Sequence, residues 1–232
     1  MNIKEQIINK IKRNRISTTE VADCMGKCGA MPGIKSINMG HFRVGEIYYT
    51  YANDSSNWNL HKLVRDVKEN SIVLVETFDC DNRGVFGELV SKYILLYKQA
   101  AAIVIDGYMR DGARLIKENY PIWTRGFSPV GCFNKEVPEL NNILLNERLN
   151  NFEDAIAVCD DAGVVIITKD FINEDFLTHL DFIELQEDIW FHCIDTKKWD
   201  TFDTVCLKKY TENLDLLPIE LRNQFKEFIE NQ

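Results

Sequence analysis

The chain has 232 residues, of which 45% are hydrophobic and 27% charged, and these are the proportions of an ordinary globular protein. They exclude the collagen-like, disordered and disulfide-scaffold classes. Acidic residues outnumber basic ones by 36 to 27, which gives a net charge of −9. Because this charge repels a phosphate backbone, we expect no nucleic-acid partner.

The cysteine content and the apolar pattern predict a cytoplasmic protein without a membrane partner. The first fifteen residues are charged and lack the apolar segment of a signal peptide, and no apolar run approaches the roughly 20 residues that span a bilayer. Seven cysteines would leave one unpaired in a secreted protein. Cys24 and Cys28 have C-x3-C spacing, but no second Cys/His pair follows at zinc spacing, so we interpret them as ordinary thiols.

The N-terminal part is predicted to form two helices and then a strand. Isoleucines recur at helical spacing over Ile3 to Ile11. Ser17 and Glu20 have the spacing of a capping box, which predicts that a second helix begins there. The aromatic, β-prone segment from Val44 to Tyr51 predicts a strand.

Helical and strand patterns alternate through the middle of the chain, which indicates an α/β fold. Helices are predicted over Leu60 to Val67 and Gly87 to Gln99, and strands over Ser71 to Val75, Ala101 to Ile105 and Ile122 to Thr124.

The later part of the chain predicts closely spaced strands and then a mixed region. Asn141 to Arg148 has the character of a linking segment. Ala155 to Val158 and Val164 to Thr168 predict two strands of a hairpin. The pattern after Lys169 is mixed, and Pro218 marks the start of a final helix.

The segment from Gly87 to Asp111 carries the most informative chemistry. It reads as a loop, a helix, a strand and a second loop, and the first turn of a helix offers unpaired N–H groups to a carboxylate. Arg110 can bind a carboxylate or enolate oxygen through two hydrogen bonds, and Asp111 is a hard oxygen ligand that suits Mg2+ or Mn2+. Glu88 is placed to reach the same ion through a water molecule or to transfer a proton. Arg-Asp pairs are also common as solvated ion contacts.

Motifs for other chemistries are missing from the sequence. It contains no GxGxxG, no phosphate-binding P-loop, no G-x-S-x-G elbow and no H-E-x-x-H. The four histidines are scattered, and we expect structural or surface roles for them.

Five segments in a fixed order carry a resemblance to a known family. They are Ile16 to Asp23, Gly87 to Val90, Ile105 to Asp111, Pro121 to Gly126 and Cys159 to Val165. Together they resemble the RraA-like family, which includes the 4-hydroxy-4-methyl-2-oxoglutarate aldolases. The resemblance covers about two thirds of the chain, from Ile16 to about Lys169.

The resemblance implies a fold and an assembly. The fold is a swivelling β/β/α-type α/β domain, here over residues 1–169, assembled as a homotrimer or homohexamer. Residues 170–232 do not match the family's shorter tail, and we expect them to form a helical or irregular extension that packs on the domain or on a neighbouring subunit. In this family the tail can supply an acidic group to a neighbour's site.

The resemblance also implies a metal-dependent lyase that forms a pyruvate enolate from a 2-oxo acid, often with oxaloacetate decarboxylation as a second activity. The backbone of Gly87, Glu88, Leu89 and Val90 would hold the substrate carboxylate, and Arg110 would bind the keto or enolate oxygen. Asp111 would hold Mg2+ or Mn2+. Lys92 is interpreted as an ion-pair partner of Glu88, one helical turn away.

One departure from the family concerns spacing. The family usually has twenty residues between its acidic loop residue and its arginine, whereas twenty-one separate Glu88 from Arg110. An extra residue near Lys98 to Ala100 would leave both ends in place, whereas one inside the helix would rotate Glu88 away.

Two alternative functions stay open. Some members of the family are regulators that inhibit a ribonuclease and lack the Arg-Asp pair, so this chain is alternatively a non-catalytic binding protein. The other alternative is a tailoring enzyme with the same chemistry on a larger, sugar-derived 2-oxo acid, its pocket reshaped by Tyr108, Met109 and the aromatic tail. We expect the tail aromatics, among them Trp190 and Trp199, to pack in a core or an interface.

Overall fold

The computed structural model describes residues 1–230, and the chain divides into two compact units, Met1–Asn173 and Glu174–Gln232. The division therefore falls after Asn173, a few residues beyond the Lys169 boundary drawn from the sequence. Across residues 1–230, no helix has the length and apolar character needed to cross a membrane.

The first unit contains one mixed sheet of seven strands. Its central strands β2 to β5 run parallel, β1 lies antiparallel beside β5, and β6 and β7 continue antiparallel beyond β2. This architecture confirms the predicted α/β class. The strands are β1 (Lys35–Ser36), β2 (Arg43–Asn53), β3 (Ile72–Phe78), β4 (Ala102–Met109), β5 (Ile122–Phe127), β6 (Ile156–Asp160) and β7 (Gly163–Ile167), in the spatial order β1-β5-β4-β3-β2-β6-β7.

Six short helices accompany this sheet. The predicted capping box is confirmed, because the Glu20 N–H donates to Ser17 Oγ at 3.2 Å and the Ser17 N–H donates to Glu20 Oε2 at 2.7 Å. The helices are α1 (Ile3–Asn14), α2 (Thr18–Cys24), α3 (Trp58–Leu63), α4 (Glu88–Lys92), α5 (Gly112–Lys117) and α6 (Asn142–Phe152).

Each face of the parallel strands is buried against a different layer, because successive side chains of a strand point to opposite faces. Ile103 and Ile105 of β4 lie in a core with residues of the connecting helices, including Leu60 of α3 and Leu115 of α5. The intervening Val104 lies in a second core, built with residues of β6 and β7. The polar loops that leave the strands therefore lie beyond these two cores, at the ends of the sheet.

Strand β4 extends further than the sequence predicts. The predicted strand ended at Ile105, but β4 continues to Met109. The Thr77 hydroxyl donates to the Asp106 carbonyl at 2.8 Å, and the Thr124 hydroxyl donates to the Gly107 carbonyl at 2.7 Å. These bonds lie where the register with β5 shifts between Ile105 and Tyr108, and β-bulges of this kind re-aim a strand end.

The linking segment predicted over Asn141 to Arg148 is instead part of helix α6. Asn141 caps this helix, since its side chain accepts a hydrogen bond from the Ile143 N–H at 2.9 Å. None of the residues of α6 is fully buried. Its hydrophobic periodicity is correspondingly weak, which explains why the sequence pattern did not predict it.

The second unit is more regular than the sequence indicated. Helix α7 (Glu174–Asp195) runs for 22 residues through the region with a mixed pattern, and α8 (Ile219–Glu230) contains the predicted final helix. Trp190 and Trp199 pack against the unit's own core, in agreement with the expected packing role. That core contains Ile189, Cys193, Tyr210, Leu217 and Phe225.

The Asp160 carboxylate links the β6–β7 turn to the start of α2 and gives a test of the fold. It accepts bonds from the Thr18 N–H and hydroxyl at 2.8 and 2.7 Å and from the Ala162 N–H at 2.8 Å. Asp160→Ala should lower the free energy of unfolding by about 2–3 kcal/mol, because three donors lose a charged acceptor. Urea denaturation measures the loss.

The matched control is the neighbouring Asp161, whose carboxylate accepts a bond from the exposed Gly40 N–H at 2.8 Å. Asp161→Ala should cost about 0.5 kcal/mol or less, as exposed polar contacts usually do. Equal losses in the two variants would contradict the assigned role of Asp160.

Candidate active site at the carboxyl end of β4

The predicted site residues lie together at the carboxyl ends of the parallel strands, which is where open α/β sheets bind ligands. Arg110 and Asp111 directly follow β4, and Gly87 precedes α4, in the connection from β3 to β4. The backbone joins these two loops, because the Arg110 N–H donates to the Phe86 carbonyl at 2.8 Å and the Val85 N–H donates to the Tyr108 carbonyl at 2.8 Å.

Asp111 contacts the first turn of α4. One of its carboxylate oxygens, Oδ2, accepts the Glu88 N–H at 3.1 Å. An added Cβ at Gly87 would overlap this carboxylate, so only glycine permits the approach. Asp111 has a left-handed backbone, with φ of 57°, a conformation that Asp tolerates better than most residues. The carboxylate therefore occupies the position in which the sequence placed a bound anion.

Arg110 lies against two further glycines. A Cβ added at Gly84 would lie 2.5 Å from Arg110 Cγ, and one added at Gly131 would lie 2.6 Å from Nη1. The backbone holds these glycines together, since the Cys132 N–H donates to the Gly84 carbonyl at 3.1 Å. The Arg110 side chain thus packs against the backbone of two glycines, although the residue as a whole is exposed to solvent.

The other predicted loop residues face different surroundings. The Glu88 carboxylate lies 3.9 Å from Arg114 Nε, so its observed ion-pair partner is Arg114 of α5, and the predicted pair with Lys92 is wrong. Leu89 is 82% exposed, whereas Val90 packs against the core. The side chain of Val90 therefore points away from solvent, which leaves its backbone as the part available to a ligand.

A π-helical turn lies between Glu88 and Arg110. Tyr93–Tyr97 follows α4 as a π-helix, and the Lys98 N–H donates to the Tyr93 carbonyl at 3.0 Å, five residues earlier. Such a turn holds one residue more than an α-helical turn. A π-helical turn inside the segment is one place where an additional residue fits. The Glu88 N–H contacts Asp111, while the Glu88 carboxylate is directed towards Arg114.

The donor set around Asp111 fits Mg2+ or Mn2+ only if water and substrate complete the coordination. Among residues 1–230 there is no group of three His, Cys, Asp or Glu side chains that would hold a metal. The Asp111 carboxylate is exposed, and its hydrogen bond to Glu88 uses Oδ2. Mg2+ is commonly held by one or two carboxylates together with waters and substrate oxygens, so Oδ1 of Asp111 is a suitable ligand.

Three supporting residues were not identified from the sequence. Gly84 and Gly131 make room for Arg110, and Asn57 donates from Nδ2 to the Val85 carbonyl at 2.9 Å from a buried position. Gly84 lies in a stretch that predicts a turn, but glycine is common in turns. The close approach of Gly84 to Arg110 is visible only in the three-dimensional structure, and the residues beside Gly84 in the sequence do not indicate it.

Met109 does not support the alternative of a pocket reshaped for a larger 2-oxo acid. Met109 is fully buried in the core between the sheet and the helices, so its side chain does not line a pocket. Tyr108 is partly buried and lies near Gly126.

Substitution of the two glycines beside Arg110 tests the close packing. Gly84→Ala should lower the free energy of unfolding by about 2 kcal/mol, because the new methyl group would also lie 2.9 Å from the backbone oxygen of Ser128. Gly131→Ala should cost only about 0.5 kcal/mol, because the flexible guanidinium of Arg110 can move aside. Thermal denaturation measures the loss of stability in both variants. A larger loss in Gly131→Ala than in Gly84→Ala would contradict the described packing of these glycines.

Comparisons with known proteins agree with this architecture. A protein of uncharacterised function from Pseudomonas syringae pv. tomato superimposes with a TM-score of 0.68 at 20% identity, covering 90% of this chain and 96% of that one. RraAS2 of Streptomyces coelicolor, described as an unusual member of the RNase ES inhibitor RraA protein family, gives a TM-score of 0.60 at 18% identity, covering 78% of this chain and 94% of that one. At such identities the similarity establishes the fold.

A family model described as RraA-like, Aldolase/RraA, matches residues 18–166. The match spans more than half of the chain and includes β2 to β5, α4 and the Arg110-Asp111 pair. The chain therefore belongs to the RraA-like family.

Proposed function

We propose that the protein is a divalent-metal-dependent carbon–carbon lyase, of the 4-hydroxy-4-methyl-2-oxoglutarate aldolase or oxaloacetate decarboxylase type, acting on a pyruvate-derived 2-oxo acid. The observation that supports the proposal is the convergence of Arg110, Asp111 and the Gly87–Glu88 backbone at the carboxyl end of β4. The family contains both aldolases and ribonuclease inhibitors, and the presence of Arg110 and Asp111 favours the lyase.

Arg110 is the group that would act on the developing charge. Aldol cleavage and decarboxylation both break a carbon–carbon bond and leave a pyruvate enolate. A guanidinium donates two parallel hydrogen bonds to an oxygen anion or a carboxylate. The aliphatic part of Arg110 packs along Gly84, which places its guanidinium beside the α4 loop, and a positive charge placed where negative charge develops stabilises a transition state.

The remaining residues would bind the substrate and transfer a proton. Because the Asp111 carboxylate already accepts the Glu88 N–H, the backbone of Gly87 to Val90 would hold the substrate carboxylate through the other N–H groups of this turn. Asp111 would hold Mg2+ or Mn2+, which would add Lewis-acid stabilisation of the enolate oxygen. Glu88, partly exposed beside Arg114, would accept the hydroxyl proton during aldol cleavage and return it to the enolate carbon.

Pyruvate release tests the assignment of Arg110. Pyruvate formation from oxaloacetate and from 4-hydroxy-4-methyl-2-oxoglutarate should require Mg2+ or Mn2+ and should stop with EDTA. Arg110→Ala should lower kcat/KM by about 100- to 1,000-fold, the usual cost of removing an oxyanion-stabilising donor. Arg110→Lys should lose most of the same activity because an ammonium lacks the planar fork.

Matched variants distinguish the loss of a site residue from a general effect of substitution on activity. Asp111→Ala should lose the metal-dependent activity, whereas Lys117→Ala, which removes an exposed positive charge from α5, should retain it. Full activity in Arg110→Ala would remove the site assignment. If the wild-type protein releases pyruvate from neither substrate, the result would favour a larger, sugar-derived 2-oxo acid or the regulatory alternative. A protein partner that binds stoichiometrically without metal would then select the regulatory alternative.

We also propose a homotrimer or homohexamer in the cytoplasm. The proposal for assembly is supported by large apolar side chains exposed along the helical segment that begins at Glu88. Leu89, Leu96 and Tyr97 are 82%, 54% and 71% exposed. Exposed apolar groups clustered beside a site are typical of an interface.

The proposal for the compartment is supported by the absence of disulfides among the seven cysteines, all of which lie in the described residues.

Charge introduced into this apolar segment tests the assembly. The wild-type protein should have three or six times the monomer mass in light scattering, and Tyr97→Lys should shift the population towards monomer because a charge would be buried in the interface. Lys226→Ala, at an exposed position in α8, serves as the control and should leave the mass unchanged. A monomeric wild-type protein would contradict the proposal.

A further inference from the structure

Arg83 is a second arginine at the edge of the proposed lyase site. It directly precedes Gly84, which packs against Arg110, and its Nη1 donates to the Gly131 carbonyl at 3.0 Å. A Cβ added at the same Gly131 would lie 2.6 Å from Arg110 Nη1. The two guanidinium groups therefore approach one glycine, Arg83 at its carbonyl oxygen and Arg110 at its α-carbon.

The contacts of the Arg83 side chain hold it in place and leave most of its donors free. Its guanidinium carbon lies 4.7 Å from the centre of the Phe133 ring, and the residue is only partly exposed. The Phe133 N–H donates to the Ser55 carbonyl at 2.8 Å, which ties down the backbone beneath the ring. A guanidinium has five N–H donors. Within residues 1–230, the bond to the Gly131 carbonyl is the only side-chain hydrogen bond of Arg83.

No carboxylate in the described part of the chain neutralises these two guanidinium groups. Neither Arg83 nor Arg110 lies within ion-pair distance of an aspartate or glutamate among residues 1–230. The arginines that form such pairs are Arg114, Arg125, Arg148 and Arg222. The chain has 36 acidic and 27 basic residues, so carboxylates are not scarce. Two like charges close together repel each other, and a bound anion would relieve the repulsion.

The two guanidinium groups together suit a ligand with an anionic group at each end. In the proposed lyase, Arg110 binds the keto or enolate oxygen, and the first carboxylate lies at the backbone of α4. A second carboxylate, a few bonds further along the substrate, would then meet the free donors of Arg83. Arginine binds a carboxylate through two parallel hydrogen bonds, whereas an apolar end would gain nothing from this position.

We propose that Arg83 is a specificity-determining residue, which binds the distal carboxylate of a 2-oxo dicarboxylic acid whose keto oxygen lies at Arg110. This inference rests on the proposed lyase function and selects between its two reactions. In aldol cleavage, the bond between the methylene carbon and the hydroxyl-bearing carbon breaks, and its electron pair forms the enolate. The hydroxyl proton moves to that enolate, and the distal carboxylate leaves intact in the second carbonyl product. In decarboxylation, the distal carboxylate itself loses its charge and leaves as CO2.

An arginine at the distal carboxylate favours aldol cleavage over decarboxylation. The ion pair persists throughout aldol cleavage, so it stabilises substrate and transition state alike. In decarboxylation the same pair stabilises the charged reactant and weakens as the charge moves onto the enolate, which raises the barrier. Arg83 therefore suits a 4-hydroxy-2-oxo dicarboxylic acid better than oxaloacetate.

The binding of two unreactive acids tests the site without reference to turnover. 2-Oxoglutarate and 2-oxopentanoate have the same carbon chain and differ in a terminal carboxylate against a methyl group, and neither has the hydroxyl or carboxylate that the two reactions need. In calorimetry with Mg2+, the full-length protein should bind 2-oxoglutarate about 10- to 100-fold more tightly, the usual effect of a hydrogen-bonded charge. Arg83→Gln should abolish this preference, and Arg83→Lys, which keeps the charge, should retain part of it.

Two results of this measurement would overturn the proposal. One is a wild-type protein that binds both acids equally or binds neither. The other is an unchanged preference for 2-oxoglutarate in Arg83→Gln. The comparison of the two acids on the wild-type protein stands even if a variant fails to fold, which circular dichroism checks.

Pyruvate release tests the choice between the two reactions. Arg83→Gln should lower kcat/KM for 4-hydroxy-4-methyl-2-oxoglutarate by about 10- to 100-fold, mainly through KM, and should lower kcat/KM for oxaloacetate far less. Arg13→Gln, which replaces an exposed arginine of α1, is the matched control and should leave both values unchanged. Equal losses on both substrates in Arg83→Gln would overturn the assigned role. If the wild-type protein releases no pyruvate but prefers 2-oxoglutarate through Arg83, the lyase function fails and the dicarboxylate site stands.

Discussion

The close approach of two loops at the carboxyl end of β4 is the constraint around which the candidate site is built. At Gly84, Gly87 and Gly131 an added Cβ would meet the side chains of Arg110 or Asp111. Protein interiors accommodate such contacts only where side chains are absent, because packing leaves little free volume. The three glycines therefore fix where the arginine and the aspartate lie, and most substitutions there would displace one of them.

The sheet provides the platform for this arrangement. The side chains of Ile103 and Ile105 bury one face of β4 and that of Val104 buries the other, so the strand has little freedom to slide. The threonine hydroxyls of the neighbouring strands hold the bulge near Gly107, and β4 continues to Met109. Arg110 is thereby the first residue beyond a buried strand, a placement that would favour precise positioning of the proposed catalytic group.

The sequence by itself determined the α/β class, the capping box at Ser17 and the order of the motifs that indicate the RraA-like family, because these depend on local periodicity and on neighbours along the chain. Only the tertiary structure decided the packing of Gly84 and Gly131 on Arg110, the extension of β4, the Glu88–Arg114 contact and the π-helical turn. Helix α6 was missed because none of its residues is fully buried. Apart from the π-helical turn, which is local, these features depend on contacts between distant segments or on a helix without a strong apolar face, and residue spacing alone does not encode them.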